Sequence, residues 1–233
     1  MVYPAKKHPL LDICVNRRFL GLNALLLASI FLALFFPVSG TAEQFLLAFS
    51  VYFALPALFV RFVLCEPLSK YGCSWGKFGI VANITWILAG ASLFGAFVWG
   101  VLRCTSSGQV FLNSSQASLT VIHRDFLMFL GSMAFLAWFI FLKEVFFRGF
   151  FLLLWKKFLS WRSLIAHFLL VAVVSAQELH VFAHTDTFVT LLFTLAWSMV
   201  ASVIAFATES VFVSFCFSLF SAILVLVLSI SLS

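Results

Sequence analysis

Lys143-Glu144-Val145-Phe146-Phe147-Arg148-Gly149 sets three charged side chains inside an otherwise apolar run from Phe126 to Trp155. Even on lenient insertion scales, an ionisable group at the centre of a membrane helix costs about 2.5–3.5 kcal/mol, so such groups face a bundle interior and keep a partner or a task. Glu144 and Arg148 stand four residues apart, share one helix face and can pair. An ion pair in the middle of so apolar a run reads as one helix of a membrane bundle.

Composition points the same way. Of 233 residues, 64% are hydrophobic and 9% charged, with 32 phenylalanines. Soluble domains carry about 25% charged residues, so a soluble domain is excluded; the phenylalanine excess reads as compositional bias. Apolar runs near the ~20 residues that cross a hydrocarbon core of ~30 Å recur at Phe19–Val38, Gln44–Leu64, Phe78–Leu102, Phe126–Trp155, Leu164–Ala183, Phe188–Ala207 and Val211–Ile230. Backbone in lipid must satisfy its own hydrogen bonds. The expected fold is therefore all-α, a polytopic transmembrane bundle of about seven spans in a single domain over residues 1–233. The fourth run is longer than one crossing needs and should tilt, kink or leave the bilayer near Gly149. Only Thr185-Asp186-Thr187 and Thr208-Glu209-Ser210 separate the last three runs, which should be antiparallel neighbours.

Charge orients the bundle. Lys6, Lys7, Arg17, Arg18, Lys70, Lys77, Lys156, Lys157 and Arg162 fall on one side if the runs alternate, against Arg103 and Arg124 on the other. The positive-inside rule makes the lysine-rich side, and the N-terminus with it, cytoplasmic. The net charge of +6 then reports topology and contact with acidic lipid headgroups. Nucleic acid is not an expected partner, because no basic stripe is interleaved with aromatics. The first apolar run exceeds a signal-peptide core of about 7–15 residues and reads as a retained span. The arm before it, with Leu10, Leu11 and Ile13, suits the interface. Five scattered cysteines lack a CxxC pair, and no structural disulfide is expected. Asn113-Ser114-Ser115 is a formal glycosylation sequon in the one sizeable polar loop, between Arg103 and Arg124.

Two further segments carry polar residues that a lipid-facing helix would not keep. Gln177, His180 and His184 share a face on the fifth run, with Glu178 turned away from it. Histidines at i and i+4 are a common helical zinc pair, yet Val-Phe-Ala lies between them and the glutamate of an H-E-x-x-H site is missing. A packed histidine and a surface-wetted one explain the pair as well. Counting from a turn near Ser160, His180 differs from Glu144 in depth by about 6 Å and His184 by about 12 Å at 1.5 Å per residue. A carboxylate and an imidazole meeting in a membrane cavity can activate water, with Glu144 or a histidine as base and Arg148 orienting the carboxylate. The third segment is Thr208-Glu209-Ser210-Val211-Phe212.

In order and spacing, these segments resemble the CAAX protease and bacteriocin-processing (CPBP) family of intramembrane endopeptidases. Its members carry E-E-x-x-x-R-G, then F-x-x-x-H, then H-x-x-x-N after a T-G-S-[IL]-W lead-in. Glu144, Arg148 and Gly149 match the second Glu, the Arg and the Gly. His180-Val181-Phe182-Ala183-His184 resembles F-G-L-A-H, and Thr208 to Phe212 resembles the lead-in. The resemblance covers roughly residues 126–226, the C-terminal four runs. It implies catalytic roles for Glu144, Arg148, His184 or His180, and Ser218. Since members are often labelled metallopeptidases, it also implies that a divalent metal such as zinc would have at most Glu144, His180 and His184 as ligands. The chain departs from the family in three places. Lys143 replaces the first glutamate, Ser218 stands at the third-motif histidine, and Ala222, beside Ser221, at the asparagine. Losing one oxyanion donor typically costs about 10²–10³ in rate.

Three functions follow as expectations. One is an endopeptidase that cleaves membrane-associated proteins or peptides by Glu/His-activated water. Another is a catalytically impaired CPBP-like membrane protein with a binding or scaffold role. The third is a small proton-coupled transporter using Glu144, His180 and Glu178. The lipid bilayer is the expected surrounding for all three.

Overall fold

A computed structural model describes residues 17–35, 41–104, 126–182 and 187–231. Seven helical segments succeed one another among the described residues, with no strand. They are α1 (Arg17–Phe35), α2 (residues 41–63), α3 (Ile80–Cys104), α4 (residues 126–159), α5 (Arg162–Phe182), α6 (Thr187–Thr208) and α7 (Val211–Ser231). The Arg103–Arg124 loop with its sequon and the connector at Asp186 lie outside the described residues, apart from Arg103 and Cys104 at the end of α3.

Among the described residues, three helices are long and apolar enough to cross a membrane, through Leu46–Val63 of α2, Ile80–Arg103 of α3 and Leu191–Thr208 of α6. Shorter apolar stretches occupy Leu20–Leu32 of α1, Arg162–Val174 of α5 and Val211–Val225 of α7. Large apolar side chains such as Phe31, Phe62, Leu93 and Val173 point outward, while Glu144, Arg148, His167 and a set of serines are buried. This inside-out distribution suits a lipid surround.

Two of the long helices change their winding. In α2, π-helical turns at Ser50–Ala54 and Phe59–Val63 flank Leu55–Leu58. Pro56 has no N–H, and its ring crowds the carbonyl four residues back, so the ladder widens there. In α4 the α-helix Phe126–Lys143 passes into a ten-residue π-helix, Glu144–Leu153, and returns to α-helix at Leu154–Leu159. The helix widens through Gly149 and turns only at Ser160, where φ is +51°. Gly149 has a packing reason. A Cβ there would lie 2.8 Å from the Tyr71 carbonyl oxygen, so only glycine lets the Leu68–Tyr71 turn rest on α4.

The core has two clusters. Leu22 and Leu26 of α1, Tyr52 of α2 and Phe146, Phe150 and Phe151 of α4 form the first. Phe94 and Val98 of α3, Ile204 of α6 and Phe217 of α7 centre the second. Helix α6 packs against both α5 and α7, as their short connectors require. The α6–α7 turn is Glu209-Ser210, with Glu209 at φ +57°. Ser210 caps α7, its Oγ accepting from the Val213 N–H at 3.2 Å.

Candidate functional site

Glu144 sits at the first residue of the π-helical stretch and is 1% exposed. Its Oε1 accepts from Arg148 Nη1 at 2.6 Å and from Ser218 Oγ at 2.6 Å. Its Oε2 accepts from Ser214 Oγ at 2.5 Å. The four-residue spacing read from the sequence thus delivers the expected pair, and Ser218 joins it from α7. Charge-assisted bonds of this kind are short and roughly twice as strong as neutral ones.

Arg148 carries the network to α6. Its Nη2 donates to the Ser198 Oγ at 3.1 Å and to the Ser198 carbonyl at 3.3 Å. That carbonyl also accepts from Ser202 Oγ at 2.6 Å, and Ser202 Oγ lies 3.2 Å from His167 Nδ1. The imidazole tautomer sets which of Ser202 and His167 donates in that contact. One polar seam therefore runs from Ser214 and Ser218 through Glu144, Arg148, Ser198 and Ser202 to His167. It ties α4, which belongs to the first apolar cluster, to α6 and α7 of the second.

The seam is incompletely satisfied. Arg148 Nε, His167 Nε2 and Ser221 Oγ are buried without a hydrogen-bond partner among the described residues. Among the described residues, cavities of about 470 and 450 Å3 open elsewhere, and Glu144 lines neither of them.

Lys143 is half-buried outside this seam, its ammonium 4.8 Å from the centre of the Phe139 ring. His184 lies outside the described residues. His180 lies on α5, and its side chain, like those of Gln177 and Glu178, is outside what is described. Among the described residues, no group of three or more His, Cys, Asp and Glu side chains could hold a metal ion. Glu144 does not suit a divalent cation, since a guanidinium and two hydroxyls already occupy its oxygens.

Sequence reasoning missed His167, Ser198, Ser202 and Ser214. The serines left a trace as spacing: Ser198 and Ser202 are four apart, as are Ser210, Ser214 and Ser218. Such repeats put small hydroxyl side chains on one face of an apolar helix, where membrane helices pack and hydrogen-bond. Comparison with protein-family models, with curated proteins and with solved structures finds no match to this chain.

Proposed function

We propose that the chain is a seven-span membrane protein with a cytoplasmic N-terminus and a CPBP-like core over residues 126–226, in which the peptidase chemistry is impaired and the fold serves a binding or scaffold role. One observation carries this reading: the Glu144 carboxylate, 1% exposed, already accepts from Arg148, Ser214 and Ser218. A general base needs a water within hydrogen-bond reach, and a carboxylate this buried, with three donors already on its two oxygens, has little room for one. A carboxylate held by a guanidinium and two hydroxyls serves instead as a clasp between helices. Lys143, where the family carries its first glutamate, supplies an ammonium that cannot take a proton while charged.

An altered intramembrane endopeptidase acting on membrane-associated proteins or peptides is the second reading. The unpartnered Ser221 Oγ and His167 Nε2 favour it, because buried polar atoms of this kind are commonly served by internal water. A cleavage assay in native membranes, comparing wild type with Glu144→Gln, separates the two. The clasp reading expects no cleavage above background from either protein. Cleavage by wild type that Glu144→Gln abolishes would establish the endopeptidase.

A further inference from the structure

At one end of the bundle, the segment after α2, the α4–α5 turn and the α6–α7 turn meet around a cavity of about 470 Å3. Lys70, Lys77, Lys156 and Lys157 line it together with a single carboxylate, Glu209. Lys156 is a structural clamp: its Nζ donates at 2.7 Å to both the Phe206 carbonyl and Glu209. The other three ammonium groups are less committed. Lys70 and Lys77 reach Glu66 and Glu209 only at 3.3 and 3.4 Å. Lys157 has no carboxylate within salt-bridge distance among the described residues, and its ammonium lies 5.0 Å from the centre of the Tyr71 ring. Burial pushes that ammonium below its ordinary value, with Glu66 opposing and Lys70 reinforcing the shift. Four cations thus face two carboxylates.

The rim is rigid. Gly72 and Gly76 adopt φ of +81° and +83°, and a Cβ at Gly76 would strike the Thr208 carbonyl. The Val211 N–H donates to the Gly72 carbonyl at 2.9 Å, and the Lys77 N–H to the Thr208 carbonyl at 3.0 Å. Ser210 Oγ donates to the Ser74 carbonyl at 2.5 Å. The lysines are therefore held on fixed backbone, with Ser69 beside them as a hydroxyl donor.

We infer that this cavity binds a phosphate-bearing anion, supplied by the headgroup of an acidic lipid in the leaflet at the lysine-rich end. Basic pockets at the ends of membrane helices take such headgroups. The cavity sits where α4 ends and α6 turns into α7, and Leu153 adds an apolar wall beside the lysines. The inference needs this end of the bundle to lie at a membrane surface and is independent of what Glu144 does.

The test is native mass spectrometry of the full chain in mild detergent, titrated with phosphatidic acid, phosphatidylcholine or inorganic phosphate. Wild type should retain one phosphatidic acid in preference to phosphatidylcholine, and millimolar inorganic phosphate should not displace it. Lys70→Gln and Lys157→Gln should each weaken retention by about 5-fold, the usual worth of a lysine at an anionic surface. Arg103→Gln, an equal charge change at the far end of α3, should leave retention unchanged, and the melting temperature of each variant reports its folding. Equal retention of the two lipids, or unchanged retention in a folded Lys70→Gln/Lys157→Gln protein, would overturn the inference. Displacement by inorganic phosphate would make free phosphate the occupant and overturn the lipid assignment.

Discussion

Glu144 and Glu209 are both paired carboxylates, and both hold α4 against the α6–α7 unit, yet their surroundings give them different physics. Glu144 is 1% exposed and takes a guanidinium and two hydroxyls. The Glu209 side chain is 48% exposed and meets Lys156 at 2.7 Å and Lys77 at 3.4 Å. A buried pair is costly to form, but removing one partner strands the other charge, at a cost of about 3–5 kcal/mol. Exposed pairs are screened and worth about 0.2–1 kcal/mol. Burial sets the consequence of breaking each pair more than its distance does.

The largest expected effect is therefore at the buried pair. Glu144→Ala should destabilise the protein by about 3–5 kcal/mol in a denaturation titration in detergent micelles. Arg148→Ala should cost a comparable amount, and the double variant far less than the sum, because neither charge is then left alone. The contrast between the two carboxylates fails if Glu144→Ala costs no more than Glu209→Ala.

Next comes Gly149, which keeps the π-helical stretch close to the Leu68–Tyr71 turn. Gly149→Ala places a methyl 2.8 Å from the Tyr71 carbonyl oxygen and 3.2 Å from Val211 Cγ2. Overpacking of that kind costs about 1–3 kcal/mol. Gly131→Ala, where a Cβ meets nothing within 4 Å, should be neutral or slightly stabilising in the same assay.

The smallest effect belongs to Glu209. Glu209→Gln should cost about 0.2–1 kcal/mol at neutral pH, and less in high salt. Its hydrogen bond from Lys156, first, and the charges of Lys156 and Lys77 hold its pKa below the ordinary 4.5, against the opposing effect of burial. A depressed carboxylate pKa stabilises the fold above that ordinary value and loses the contribution as pH falls through the lowered one. Wild type and Glu209→Gln should therefore converge in stability as pH drops below about 4, the usual carboxylate range.

Much of this arrangement was legible in the sequence, for identifiable reasons. The apolar runs coincide with helices because helical winding is the only way an isolated apolar segment satisfies its backbone. The Glu144–Arg148 pair followed from four-residue spacing alone, and the turn at Ser160 from the polar break between two runs. The partners of the pair were not all legible. Ser218 was singled out by its position after Thr208, but Ser214 and Ser198 depend on which faces of α6 and α7 meet α4. Serine is too common for its spacing to decide that. Nor could the widening at Glu144–Leu153 be foreseen, since no proline marks it as Pro56 marks the turn in α2.

A clasp of this kind leaves Glu144 sealed from water. Ser218→Cys puts a thiol where the hydroxyl lies 2.6 Å from the Glu144 carboxylate. The exposed Cys65 serves as an internal positive control. The folded protein is treated with a membrane-impermeant, water-soluble thiol reagent in permeabilised vesicles, and the labelled sites are mapped by peptide mass spectrometry. A sealed clasp predicts label at Cys65 and none at position 218 until the protein is denatured. Labelling at position 218 in the folded protein, alongside Cys65, would contradict the clasp and reveal a water-filled cavity at Glu144.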